Sequence, residues 1–510
     1  MSSGRIVWIA AVAVALITRT VGLDRWPGLN GDEAWYGVNI QEFLAGGTPF
    51  LRTPPGNLLS PVHSGLLLVL SWMFDTSPAL LRLPEVILGM TAVLLAYPLL
   101  RKPLGERTAL LATVLLAVSP TAIAYARVGW DPSGTPLLIL LAMAAALHDR
   151  PVGAVAAMAV ACMVHPTNVF AFPIVATAWL PHGIGRYQAA SNETRRRWWL
   201  VSIAGALLVV PAGVWVLIAI ADNPATPLPS VAMVIERLVS PGLWIERATG
   251  AFHLLSGVSS VTDIAAPMTT AGSAATGAVG FIIAGTILFA ASGWRQRPQA
   301  VYVFAGMALA FAGFHIVAIP FAFHPGYERY ALFLLTPMLI CGAIGLDAAI
   351  ARTAAIGTTA AIAVTATMLM VIGGGYFYPF STAGGASAMT YRTGMVEPKL
   401  AALRFIEADS RDLPAVTVLA GDWWLYWSLR YFAGPNGRIH IEPAPSAPIL
   451  GGTHPPQALP RPAPASARTY LVTFAQTGAA AARSNARFAA TDPQGQPIVE
   501  VLLLAEERRP

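Results

Sequence analysis

The chain has 510 residues, 55% hydrophobic and 11% charged, with mean hydropathy +0.60 and formal net charge +6. Soluble domains carry roughly a quarter charged residues, so the composition excludes a soluble globular protein and indicates an integral membrane protein. Nucleic-acid binding is not indicated by the basic excess, because the arginines sit in short loops between apolar runs, as topology signals do.

A spanning helix needs about 20 mostly apolar residues. In chain order, such runs predict helices near 5–22, 83–100, 107–124, 134–148, 151–165, 167–181, 199–220, 276–293, 300–319, 329–347 and 354–373, about 11 in all. The first run carries Arg19 near its end and leads straight into an acidic stretch, so it reads as an uncleaved helix, not a signal peptide. Segment 61–75 is short and has breakers at both ends. It reads as a helix lying in the interface. With the N-terminus in the cytoplasm, the basic residues Arg101, Lys102, Arg107, Arg150, Arg186, Arg195, Arg196, Arg197, Arg295, Arg297 and Arg352 all fall inside, as the positive-inside rule requires. Loops 23–82, 125–133, 221–275 and 320–328, the turn at His165-Pro166 and the segment after 373 then fall outside. Cys162 and Cys341 lie inside apolar runs and read as core residues.

Three polar islands lie on the outer side. The first is Asn30-Gly31-Asp32-Glu33, which puts adjacent carboxylates at a membrane surface. A low-dielectric rim raises a carboxylate's pKa and strengthens it as general base toward a hydroxyl or amine acceptor. Neighbouring side chains diverge, so one base and one helper are expected; the alternative is an acidic pair capping a short helix. The second island runs from Tyr125 through Arg127 to Asp131-Pro132. The fork of Arg127 suits a phosphate and Asp131 a sugar hydroxyl, unless the two simply close a loop and Asp131 caps the next helix. The third is His324 to Tyr330. A rim arginine such as Arg329 is costly unless paired, and a lipid phosphate is a natural partner. Tyr36, His63, His165, Tyr327 and Glu328 complete the candidate substrate contacts. No two histidines have ligand spacing on one element, so no metal is expected, with a divalent cation left as an open alternative.

Residues 1–373 thus read as the transmembrane domain and Gly/Ser-rich 374–394 as a linker. In 395–510, helix-like stretches (399–408, 422–432) alternate with strand-like ones (415–420, 438–441, 469–474, 498–504), predicting a small extracytoplasmic α/β domain. It has no GxGxxG turn, so no nucleotide site is expected. The cluster Trp423-Trp424-Tyr426-Trp427 reads as a sugar platform, domain core or interfacial belt.

In their order and shared sidedness these islands resemble the GT-C superfamily of polytopic glycosyltransferases, in particular bacterial protein O-mannosyltransferases and lipid A aminoarabinose transferases. The residues carrying the likeness are Asp32-Glu33, Gly105-Glu106-Arg107, Ser119-Pro120 through Tyr125-Ala126-Arg127 to Asp131, and Glu328-Arg329-Tyr330 with Pro337, over about residues 5–350. Many relatives have an apolar pair where this chain has Gly129-Trp130. The resemblance implies a GT-C fold and an undecaprenyl- or decaprenyl-phosphate sugar donor. It implies transfer from the outer leaflet of the plasma membrane to an extracytoplasmic protein, lipid or envelope glycan. It assigns Asp32 as base, Asp131 as second acidic position and Arg329 as donor-phosphate contact. A transporter or flippase is the alternative. It would place ionisable groups at the bilayer midplane, often with inverted repeats, whereas here the helix middles are almost free of charge.

Overall fold

Proline decides where the apolar runs become helices. The structure, a computed structural model, describes residues 3–48, 52–53, 59–189, 191–193, 230–267, 270–292, 298–317, 327–435, 437–444, 468–475 and 486–506. The expected helix 199–220, the arginines at 195–197, 295 and 297, and His324 lie outside the described residues. Among the described residues five helices are long and apolar enough to cross a membrane: Ser3–Thr20, Pro78–Leu104, Ala300–Val317, Glu328–Arg352 and Ala354–Ala383. The pair Glu106–Val118 and Pro120–Ala126, bent by 53°, makes a sixth if it counts as one span. Pro61–Ser71, Asp131–Leu147 and Pro151–Val164 are apolar but shorter. Full-length spans among the described residues thus number five or six, against an expected total of about 11.

The bend has a local cause. Pro120 has no N–H to give the Leu116 carbonyl, which ends the first helix. The freed carbonyls of Leu116 and Ala117 accept instead from the guanidinium of Arg19, at 3.2 and 3.1 Å. This accounts for an arginine that is 1% exposed near the end of the first helix. Ser119 then caps the second helix by accepting from Ala122 N–H at 3.3 Å.

Gly373-Gly374-Gly375, expected to open a linker, lie inside a helix. Val371–Phe377 forms a π-helical turn that continues into Tyr378–Ala383. Glycines offer no Cβ to resist the wider turn, and Tyr376 on it is fully buried against Phe377 and Phe380. The chain leaves the helix only at Gly384, whose φ of 66° is left-handed.

Two hydrophobic cores form. The larger joins the apolar helices. At the helix ends away from Arg329, Arg107 and Asp347 pair at 3.3 Å. The smaller core is the C-terminal domain, and it includes residues that follow the first helix: Leu29, Ala34, Trp35, Tyr36, Val38 and Ile40. In that domain β1 (Val416–Ala420), β2 (Ile439–Pro443), β3 (Arg468–Phe474), β4 (Ala486–Thr491) and β5 (Pro497–Glu506) form one sheet in the order β2-β1-β3-β5-β4. β1 is parallel to β2 and β3, while β5 is antiparallel to β3 and β4. The sequence reading missed β4, a short strand with alternating exposure on the sheet edge. The helix Trp423–Ala433, which links β1 to β2, packs directly on Gly31–Leu44. A Cβ on Gly31 would stand 2.6 Å from Trp424 Cα, so the contact needs glycine.

Candidate active site

The acidic stretch folds as the first turn of helix Gly31–Leu44, with Asn30 as N-cap accepting from Asp32 N–H at 2.7 Å. The chain entering the cap is clamped. Gly28 N–H donates to Tyr391 O at 2.7 Å, and Leu29 N–H to Glu397 Oε1 at 3.3 Å. Successive helical side chains diverge by about 100°, which separates the two carboxylates. Glu33 turns inward and is fully buried. Its Oε1 accepts from Arg82 Nε at 2.9 Å and Gly129 N–H at 2.7 Å; its Oε2 accepts from Arg82 Nη2 at 3.2 Å and Asn30 N–H at 3.0 Å. All four acceptor positions are occupied, so Glu33, expected as catalytic, has no oxygen left for a reacting proton. Gly129 is also explained: a Cβ there would meet Leu81 O at 2.5 Å. Glycine lets the backbone approach close enough to donate.

Asp32 turns outward and stays partly exposed. Burial pushes its carboxyl above the ordinary carboxylate range. Arg329 and a hydrogen bond from Trp423 pull it back, and Glu33 adds a smaller upward push. Trp423 belongs to the C-terminal domain, so that domain reaches the outward carboxylate.

Arg329 opens the 3-10 turn Glu328–Leu334 that leads into helix Leu335–Arg352. Its guanidinium lies 4.4 Å from the Trp130 ring centroid, 5.2 Å from Tyr330 and 5.8 Å from Tyr327. It donates to Tyr330 Oη at 3.4 Å. No carboxylate bonds it directly among the described residues, although Asp32 acts on it electrostatically. An aromatic-flanked arginine with donors to spare suits an anion. Arg329, Trp130, Tyr125 and Tyr391 line a cavity of about 410 Å³, and Tyr391 is itself within electrostatic range of Asp32.

Asp131, which starts the 3-10 turn Asp131–Gly134 ahead of helix Thr135–Leu147, is partly exposed and accepts from Tyr36. Burial is the main cause pushing it up to about 7, with Glu85 adding and His63, Arg329 and the Tyr36 hydrogen bond opposing. Tyr36 is buried, its ring 4.5 Å from that of His63. His63, expected at the substrate, is instead buried beneath Tyr36, with Nδ1 2.7 Å from Glu85 Oε1. His165 does reach the site: its ring is 5.4 Å from that of Tyr330. Burial and the Arg329 charge push it down to about 3, and neutral Nδ1 accepts from Thr167 N–H at 3.3 Å. Tyr327 is exposed and stacks on Tyr330, while Glu328 is buried.

Arg127, expected at the phosphate, serves elsewhere. It is fully buried, donates to Thr18 O at 3.1 Å and Trp26 O at 3.0 Å, and lies 5.0 Å from the Phe377 ring and 5.5 Å from Tyr376. It locks the first helix to the π-helical turn. Arg82, Glu85 and Tyr391 were not singled out in the sequence; Trp423 was, as one of an aromatic cluster, but not as a partner of Asp32. Arg82 and Glu85 had a signal: opposite charges three residues apart at the head of an apolar helix. Tyr391 had none, because only tertiary packing brings it here, and the aromatic cluster of Trp423 gave no sign that its partner is Asp32. Among the described residues no cluster of three or more metal-ligating side chains occurs.

No family model and no curated protein matches the chain. Solved structures do. The chain aligns with ArnT from Cupriavidus metallidurans bound to undecaprenyl phosphate over 98% of both chains, with a TM-score of 0.55 at 15% identity. It also aligns with the apo oligosaccharyltransferase of Archaeoglobus fulgidus, with a TM-score of 0.50 at 15% identity, over 88% of this chain and 65% of that one. The chain therefore spans slightly under two thirds of that oligosaccharyltransferase. At this identity the likeness shows a shared fold: the chain has the overall fold of these two structures.

Proposed function

We propose that this GT-C-fold membrane protein transfers a sugar from a polyprenyl-phosphate donor to an extracytoplasmic acceptor. Asp32 acts as general base. It takes the proton of the acceptor hydroxyl or amine as that group attacks the anomeric carbon. The bond from that carbon to the phosphate oxygen breaks, and the electron pair leaves with the lipid phosphate. Attack opposite the phosphate inverts the anomeric centre. Arg329 meets the charge that develops on the leaving group, where a preorganised cation has its largest effect. Asp131, sharing Tyr36, orients a sugar or acceptor hydroxyl. Glu33, with Arg82, holds the helix that carries Asp32. The N-terminus is cytoplasmic and the C-terminal domain extracytoplasmic, so a lipid-carried donor is needed where nucleotide sugars are absent.

One observation carries the reading. Of the ionisable groups gathered here, Asp32, Asp131, His165 and Arg329 keep partial exposure, whereas Glu33, Arg82, His63, Glu85 and Arg127 are buried. The undecaprenyl phosphate bound by the ArnT neighbour is consistent with the donor class. The test is reconstitution in vesicles with undecaprenyl-phosphate-linked mannose or arabinose and an envelope extract as acceptor. Wild-type protein should form a covalent sugar product, and Asp32→Asn should not. Equal transfer by both would remove Asp32 as base. Translocation of the lipid without any product would favour a flippase.

A further inference from the structure

The cavity beside Arg329 has a second charged wall. Asp263, with the hydroxyls of Ser260, Thr262 and Ser387, lines it together with Arg329 and the aromatic rings. Asp263 sits on the short helix Val258–Ile264, which is fixed at both ends. At its start, Gly257 has φ 80° and lies so close to Pro120 that a Cβ would stand 2.5 Å from the ring. Thr121 Oγ1 donates to Leu254 O at 2.6 Å and lies 3.4 Å from Ser260 Oγ. At its end, Ala386 N–H donates to Ala265 O at 2.7 Å, and the Ser387 hydroxyl donates to Thr262 O. The helix is thus held against Pro120–Ala126 and against the segment that follows the π-helical turn.

The two walls recognise different chemistry. An anion fits beside Arg329 and is repelled by a carboxylate. A carboxylate among hydroxyls suits neutral vicinal hydroxyl groups, which donate to it. The flat faces of Tyr125, Trp130 and Tyr391 suit the C–H faces of a sugar ring. The volume of about 410 Å³ falls within the roughly 300–1,000 Å³ of small-molecule sites. We infer that Asp263 binds the ring hydroxyls of the donor sugar and is a specificity-determining contact, with the Thr262 hydroxyl beside it. The inference rests on the donor reading given above and adds the position of the sugar.

The experiment measures binding of undecaprenyl phosphate, undecaprenyl-phosphate-mannose and undecaprenyl-phosphate-arabinose to the full chain in nanodiscs. In Asp263→Ala, affinity for at least one sugar-bearing lipid should fall about 10- to 100-fold, the effect of losing a charge-assisted hydrogen bond. Affinity for the bare lipid should hold within about twofold, and Asp263→Glu should recover part of the loss. Unchanged affinity for both sugar lipids, or an equal fall for bare and sugar-bearing lipid in a variant with wild-type thermal stability, overturns the assignment. If Asp263→Ala fails to fold, Thr262→Ala decides. Selective weakening of a sugar lipid supports the inference, and no selective change overturns it. A wild type that transfers sugar while Asp263 variants keep its selectivity sinks only this inference. A wild type that uses no sugar lipid sinks the donor reading as well.

Discussion

Asp32 and Glu33 are adjacent in the chain and end in different environments. Glu33 is closed in a bidentate pair with Arg82, at 2.9 and 3.2 Å. Asp32 stays partly exposed, within electrostatic range of Arg329. The buried pair sets the rotation of the helix, and that rotation aims the outward carboxylate.

Asp32→Asn removes the proposed base and keeps the shape. Transfer should fall about 10²- to 10⁴-fold, the usual worth of general base catalysis. Expression and undecaprenyl phosphate binding should be unchanged. Single-turnover kinetics with a polyprenyl-phosphate sugar would check this.

Glu33→Gln leaves the buried Arg82 guanidinium without its counter-charge. Removing one partner of a buried ion pair costs about 3–5 kcal/mol. The variant should lose thermal stability, seen as a lower unfolding midpoint in detergent. Double replacement of Glu33 and Arg82 by apolar residues should recover part of that loss. A Glu33→Gln protein as stable as wild type but inactive would instead make Glu33 a direct participant.

The two arginines should separate cleanly. Arg329→Ala should weaken undecaprenyl phosphate binding roughly 10- to 100-fold. Arg127→Lys should lower thermal stability and leave lipid affinity near wild type, because its donors serve Thr18 and Trp26 carbonyls. Isothermal titration in nanodiscs measures both.

Trp423→Phe tests the reach of the C-terminal domain. The Trp423 hydrogen bond favours the ionised form of Asp32. Its loss should raise the pKa of Asp32, so the acid limb of the rate–pH profile moves to higher pH. A fall in rate with no movement of that limb would leave Trp423 a packing residue only.

Asp131 gives a pH signature. Its carboxyl is held at about 7 in the fold, against the usual value of 3.8. Between those values the folded protein binds more protons than the unfolded chain, so this group lowers stability as pH rises through the window. Asp131→Asn removes that penalty. Its unfolding midpoint should exceed that of wild type at pH 8, with the gap closing toward pH 5.

Much was legible in the sequence because it is set by local transfer free energies. Charge-poor apolar runs must lie in lipid, and a proline such as Pro120 withholds the N–H that would continue a straight helix. Those facts determined a polytopic membrane protein, and the polar islands offered Asp32, Asp131 and Arg329 as candidates. The tertiary structure decided which polar groups stay accessible and which are held shut. Asp32 and Glu33 are equivalent by composition and position, and so are Arg127 and Arg329. Only the approach of Arg82 and Gly129 on one side, and of Trp423 on the other, distinguishes the carboxylates. A side chain's desolvation and bonding depend on partners tens to hundreds of residues away, and no local pattern encodes them.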